Sequence, residues 1–83
     1  MSRKMPSHIK PNQILDVKGR SCPEPILETK RAVNELSSGQ ILKVLATDPS
    51  SKSDISAWAR RTGNELLEIT EEEGVFIYYI RKR

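Results

Sequence analysis

The chain has very little of the chemistry that small proteins are usually built on. Among 83 residues there is one cysteine, one histidine, one tryptophan and one phenylalanine. A single cysteine closes no internal disulfide. With His8 as the only histidine, the chain cannot assemble a zinc centre of about four Cys and His ligands. A dithiol redox motif needs Cys-x-x-Cys, and the fourth position here is Pro25. A phosphatase-type loop needs an arginine where this chain has Glu28. A protease-like thiol needs a histidine base, and His8 sits in a basic stretch well before the cysteine. No metal and no cofactor is expected. No apolar run approaches the roughly 20 residues of a membrane-spanning helix. The opening "MSRKMPSHIKP" is basic without an apolar segment, so no secretory signal and no membrane association are expected, and the protein is read as cytoplasmic. There are no internal repeats and no low-complexity segments.

What is present suits one small soluble domain with a modest core: 36% hydrophobic and 30% charged residues. The formal charge of +3 could favour an acidic partner or nucleic acid, but its simpler reading is an ordinary solvated surface. Residues 1–12 carry Arg3, Lys4 and Lys10, two prolines and no acid, which predicts a flexible basic arm before a single domain at 13–83.

The hydropathy pattern places the elements. "QILDV" (13–17) reads as a short strand, and "KGRS" breaks it, with Gly19 free to turn. From Pro23 to about residue 37 the apolar positions Ile26, Thr29, Val33 and Leu36 recur at helical spacing, with Leu27 and Ala32 beside them; Gly39 is the expected left-handed cap. "ILKVLAT" (41–47) reads as a buried central strand. Ser51 and Asp54 have the spacing of a capping box, and Ile55, Trp58, Ala59 and Thr62 form a second apolar stripe closed by Gly63. Two β-rich stretches, 65–71 and 75–82, flank "EEG" (72–74) and predict a hairpin turning at Gly74. The expected fold is a two-layer α/β sandwich of order β-α-β-α-β-β, with two helices on one face of a mixed four-stranded sheet. Trp58 belongs to the core, and Tyr78 and Tyr79 point to opposite sheet faces.

The remaining question is "SCPEP", residues 21–25. With Cys22 as N-cap, Pro23 falls at the first helical position and Pro25 at the third, both tolerated in a first turn. Pro25 removes one N–H that would bond an N-cap side chain, which leaves the Glu24 N–H as the close partner for sulfur. The result is a stiff junction with a thiol at a helix tip. The helix N-terminus favours the thiolate, Glu24 opposes it, and Lys18 and Arg20 lie just upstream. The alternatives are an inert buried thiol and a nucleophile that carries something while other proteins supply the machinery.

"LDVKGRSCPEPILETKRAV", "ATDPSSKSDISAWARRTGNELLE" and "GVFIYYIRK" resemble the TusA/SirA-like sulfur-carrier family over roughly residues 14–82. The resemblance implies the same two-layer fold. It implies that Cys22 carries sulfur as a persulfide, loaded by a cysteine desulfurase or a rhodanese-like donor. A downstream acceptor protein would then receive it in tRNA thiolation, molybdenum-cofactor synthesis or sulfur metabolism. Pro23 and Pro25 match the Cys-Pro-x-Pro element around Glu24, Asp16 and Gly19 its approach strand and turn, and Asp48, Pro49 and Asp54 the segment before the second helix. Arg20 stands where the family often has an apolar residue, and Asn64 where it often has histidine. With Lys18 and Asp48, these two bear on which partners are selected. A monomer is expected, with dimerisation through Cys22 only under oxidising conditions; the missing second cysteine prevents internal discharge of a persulfide. The rival reading is an RNA- or protein-binding module in which the cysteine is incidental. The basic ends support it, but no interleaved aromatic–basic motif does, so direct nucleic-acid binding is not expected.

Overall fold

A computed structural model describes residues 9–83; of the expected arm at residues 1–12, residues 1–8, with Arg3, Lys4 and His8, lie outside the described residues. The elements are β1 (Gln13–Val17), α1 (Glu24–Asn34), β2 (Ile41–Ala46), α2 (Ser51–Thr62), β3 (Glu65–Glu72) and β4 (Val75–Arg81). They form one four-stranded sheet of order β1-β2-β4-β3, with β1 parallel to β2 and the other pairs antiparallel. The expected architecture is therefore the observed one.

β2 shows why the sheet is one-sided. Its side chains alternate, with Leu42, Val44 and Ala46 buried and Ile41, Lys43 and Leu45 half-buried between them. Strand pleating sends alternate residues to opposite faces, so only one face takes the helices. Register carries this face onto β4, where Leu42 pairs with Ile80 and Val44 with Tyr78. The core joins these residues to Val17, to Ala32, Val33 and Leu36 from the first helix and its C-terminal turn, and to Ile55, Trp58 and Ala59 of α2. Trp58 is core, as its helical spacing predicts. Tyr78 is fully buried under the helices, while Tyr79 lies on the other face with Lys43 Nζ 5.8 Å from its ring centroid.

Several local expectations are corrected. α1 ends at Asn34, capped by Glu35, whose N–H donates to Ala32 O at 3.1 Å while the Leu36 N–H donates to Val33 O at 3.0 Å. Gly39 is left-handed at φ +87° but does not cap it; its N–H pairs instead with Lys82 O at 2.8 Å. At α2 the N-cap is Ser50, not Ser51, and no side-chain cap bond forms. Ser51 has turned inward, because its hydroxyl finds a buried partner in Tyr78. Gly63 does close α2, left-handed at φ +82°. The hairpin turn is Glu73–Gly74, both at positive φ, the pattern that matches strand twist in a two-residue turn; Glu72 still pairs with Val75.

Asn12, read as the end of the arm, already belongs to the sheet edge: its N–H donates to Ile41 O at 2.7 Å and its side-chain oxygen accepts from Ile41 N at 2.8 Å. No helix among the described residues is long and apolar enough to cross a membrane.

Candidate functional site

Parallel pairing of β1 and β2 brings the loops that follow them to the same end of the sheet, where both helices begin. Val17 is opposite Ala46, so "KGRSCPEP" and "TDPSS" emerge side by side. The Gly19 N–H donates to Thr47 Oγ1 at 2.9 Å, which joins the two loops. Gly19 takes φ +83°, a left-handed conformation that residues with a side chain rarely adopt.

Cys22 stands on this junction with its thiol exposed. It is not the N-cap that the proline spacing suggested. The helix begins one residue later, with Pro23 as N-cap and Pro25 in the first turn, and no side chain caps it. The Cys22–Pro23 peptide is cis. The Glu24 N–H, expected to face the sulfur, donates instead to Ser21 O at 2.9 Å. Pro25 is buried and Thr29 Oγ1 donates to its carbonyl at 2.7 Å, so the first turn is packed down rather than loose.

The cysteine is held from the other loop. Its N–H donates to Asp48 Oδ2 at 2.6 Å, and its sulfur lies 3.6 Å from Asp54 Oδ2. Asp48 also accepts from the Ser50 N–H at 3.2 Å and from the Ser50 hydroxyl at 3.0 Å. The Ser50 N–H, above all, holds the Asp48 carboxyl below the usual carboxylate range; partial burial opposes this, and the Ser50 hydroxyl and the Cys22 N–H add to it. An ionised Asp48 is therefore the form that organises the loop.

The other expected residues divide. Asp16 accepts from the Lys18 N–H at 3.0 Å and pairs with its ammonium at 3.8 Å; both are exposed at the end of β1. Arg20 pairs with Glu24 at 3.7 Å across the cysteine turn. These lie at the same end of the sheet as the thiol. Asn64 does not. It follows the C-terminal cap of α2, roughly 15 Å along the helix axis from Asp54. There its amide bonds Thr62 and the Arg83 N–H, beside a groove that also takes in Lys30, Trp58 and Lys82. Sequence reasoning missed what Asp54 and Ser51 do. Asp54 was visible only as the partner in an expected capping box and as part of a matched segment, and Ser51 only as an expected cap.

The site offers one exposed sulfur on a fixed backbone, two carboxylates beside it, and no second thiol. Among the described residues no group of side chains could hold a metal ion. Such a site can form and break a bond at sulfur but cannot oxidise itself to an internal disulfide.

A family model described as sulfurtransferase TusA matches residues 13–82. The chain is 52% identical over 71 residues to the sulfur carrier protein TusA of Allochromatium vinosum, covering 86% of this chain and 93% of that one. It is 45% identical over 73 residues to the sulfur carrier protein TusA of Pseudomonas putida, covering 88% and 91%. Among solved structures it is similar to a SirA-like protein from Desulfitobacterium hafniense, with a TM-score of 0.75 and 28% identity over 83% of this chain and 95% of that one.

Proposed function

Because the chain belongs to the TusA family of sulfur carriers, we propose that Cys22 is the atom that carries the sulfur, as a persulfide, between a donor and an acceptor protein. The observation that supports this most is the exposed Cys22 thiol on a turn whose backbone is tied to Asp48. A carried sulfur must be reachable by two partners in succession, and it must not wander between encounters. Exposure supplies the first property and the Asp48 tie the second.

The transfer is an exchange at sulfur. The Cys22 sulfur attacks the terminal sulfur of a donor persulfide, as a cysteine desulfurase or a rhodanese-like protein would present it. A new S–S bond forms on Cys22 and the donor's S–S bond breaks. The donor leaves as a thiol and takes up the proton that Cys22 lost. No electrons are gained or lost overall, so no redox cofactor is required. The loaded carrier then repeats the exchange in reverse toward an acceptor in tRNA thiolation, molybdenum-cofactor synthesis or sulfur metabolism. A lone exposed thiol of this kind suits the reducing cytoplasm. On this reading residues 13–83, with Asn12 joined to the sheet edge, act as one domain.

Intact mass after incubation of the reduced protein with a cysteine desulfurase and cysteine tests the proposal. Wild type is expected to gain one sulfur, removable with dithiothreitol, and Cys22→Ser to gain none. Equal gain by both proteins, or no gain from either desulfurase or rhodanese-type donors, would sink it.

A further inference from the structure

At the end of the molecule away from Cys22, three cations line one groove of about 410 Å³. Lys30 comes from α1, and Lys82 and Arg83 from the chain just past β4. No carboxylate side chain lines it. We infer that this groove is a binding site for a diphosphate group, free or carried by a nucleotide.

The cations come from fixed backbone. The Lys82 N–H donates to Gln40 O at 2.8 Å, and the Lys82 carbonyl accepts from the Gly39 N–H at 2.8 Å. The Arg83 N–H donates to Asn64 Oδ1 at 2.9 Å, and its Nη1 donates to Thr62 O at 3.2 Å. Arg83 Nη2 and Nε have no hydrogen-bond partner among the described residues. Lys30 lies one turn before Asn34, the last residue of α1, so the two share a helix face. The Asn34 amide also has no hydrogen bond among the described residues.

The positive charge is unanswered. Lys30 and Lys82 are half-buried, and neither has a carboxylate within ion-pair distance among the described residues. Half-burial of a lysine stem is ordinary. Convergence of two unpaired ammonium groups and a guanidinium on one concavity without an acid is not, because like charges repel. The nearest acids along the chain are elsewhere: Glu65 is bonded to Arg81, Glu28 pairs with Arg31, and Glu35 does not line the groove. Arg83 answers the partial negative charge at the end of α2 through Thr62 O, which leaves the two lysines for a ligand.

Shape and lining choose among anions. The volume suits a small-molecule site, not a flat protein interface. An RNA strand would need exposed aromatic rings to stack its bases, and Trp58, the aromatic side chain of the groove, is only 5% exposed. A single carboxylate would leave most of the positive charge unmet. A diphosphate concentrates several negative charges and acceptor oxygens in one small group. The groove lies at the far end of α2 from Asp54, so the inference assumes nothing about what Cys22 carries.

Titration of the reduced full chain with sodium pyrophosphate at constant ionic strength, followed by nitrogen–proton NMR correlation spectra, tests this. Saturable shifts are expected at the Asn34 and Asn64 side-chain amides and the Trp58 indole, half-complete at about 1 mM or below. ADP and AMP separate the sources. Binding of ADP as tight as pyrophosphate assigns a nucleotide, binding of pyrophosphate alone a free diphosphate, and AMP should bind neither as tightly nor with full shifts. Lys30→Gln and Lys82→Gln should each weaken binding about fivefold, the factor for one unit-charge contact at about 4 Å in water. Lys52→Gln, the same change of charge at the opposite end of α2, should leave it unaltered. Melting temperatures show that the variants fold, and the wild-type titration stands without them. No saturation by pyrophosphate or ADP at about 10 mM would overturn the inference. So would AMP binding as tightly as ADP, or a loss in Lys52→Gln equal to that in folded Lys30→Gln and Lys82→Gln.

Discussion

Tyr78, at the centre of the helix-facing sheet surface, reaches the first residue of α2 with its phenol: Tyr78 Oη and Ser51 Oγ are 2.6 Å apart. Ser51 Oγ also donates to Asp48 O at 2.7 Å. A hydroxyl has one proton, so Tyr78 must be the donor of the shorter bond. The chain of contacts runs from the core through Ser51 to Asp48, and from Asp48 to the Cys22 N–H. The loop that holds the thiol is thus anchored in the deepest part of the sheet.

This predicts an asymmetry between two conservative substitutions. Tyr78→Phe removes a donor but leaves Ser51 bonded to Asp48, and should cost about 1 kcal/mol. Ser51→Ala strands the buried phenol and a carbonyl, and should cost more, about 1–3 kcal/mol. Urea unfolding of both variants checks the order, and a larger loss in Tyr78→Phe would contradict it.

Acid should loosen the same loop. Asp48 is held below the usual carboxylate range in the fold, chiefly by the Ser50 N–H, so the unfolded chain binds its proton more readily. Its contribution is fully present above the unfolded value of about 3.9 and disappears as pH falls through the lower folded value. Asp48→Asn should therefore be less stable than wild type at neutral pH, and the gap should narrow on acidification below about pH 4. Unfolding curves between pH 2 and 7 measure it; a gap independent of pH would be the contrary result.

Tyr78 carries a linked expectation at the other end of the pH scale. Burial, first of all, pushes its phenol above the usual tyrosine range, and the charges of Asp48 and Asp54 add to the shift. The stability this reflects is present below about pH 10 and declines as pH rises toward the folded value. Wild type should lose more stability than Tyr78→Phe between pH 9 and 11, in denaturant titrations at each pH.

Gly63 and Gly39 are both left-handed, at φ +82° and +87°, yet they should not respond alike. A methyl group at Gly63 would meet Arg83 Cδ at 3.0 Å, whereas at Gly39 nothing lies within 4 Å. Arg83 also donates to Thr62 O at 3.2 Å, so its displacement costs the end of α2 a bond. Gly39→Ala should cost about 1 kcal/mol for the backbone alone, and Gly63→Ala more. Equal melting temperatures for the two variants would show that Arg83 yields freely.

The elements were legible because their signals are local. The alternation in "ILKVLA", the helical stripe of Ile55, Trp58 and Ala59, and the glycines at 63 and 74 each work within a turn or a pleat. Boundaries slipped by one residue at both helix starts because other partners took the expected bonds, a distant one at α2 and a local turn at α1. Ser51 lost its capping role to Tyr78, 27 residues away, and the Glu24 N–H went to Ser21 O rather than to sulfur.

By itself the sequence determined that there would be a single thiol, two amphipathic helices and a sheet with one apolar face, since periodicity and composition need no partner. It also placed Cys22 beside two prolines at the start of a helix. Only the tertiary structure decided what the sulfur touches. Asp48 and Asp54 lie 26 and 32 residues from Cys22, and they reach it because parallel pairing of β1 and β2 sets both following loops at one end of the sheet. A hydrogen bond depends on tenths of an ångström, and strand register, not local propensity, sets that distance.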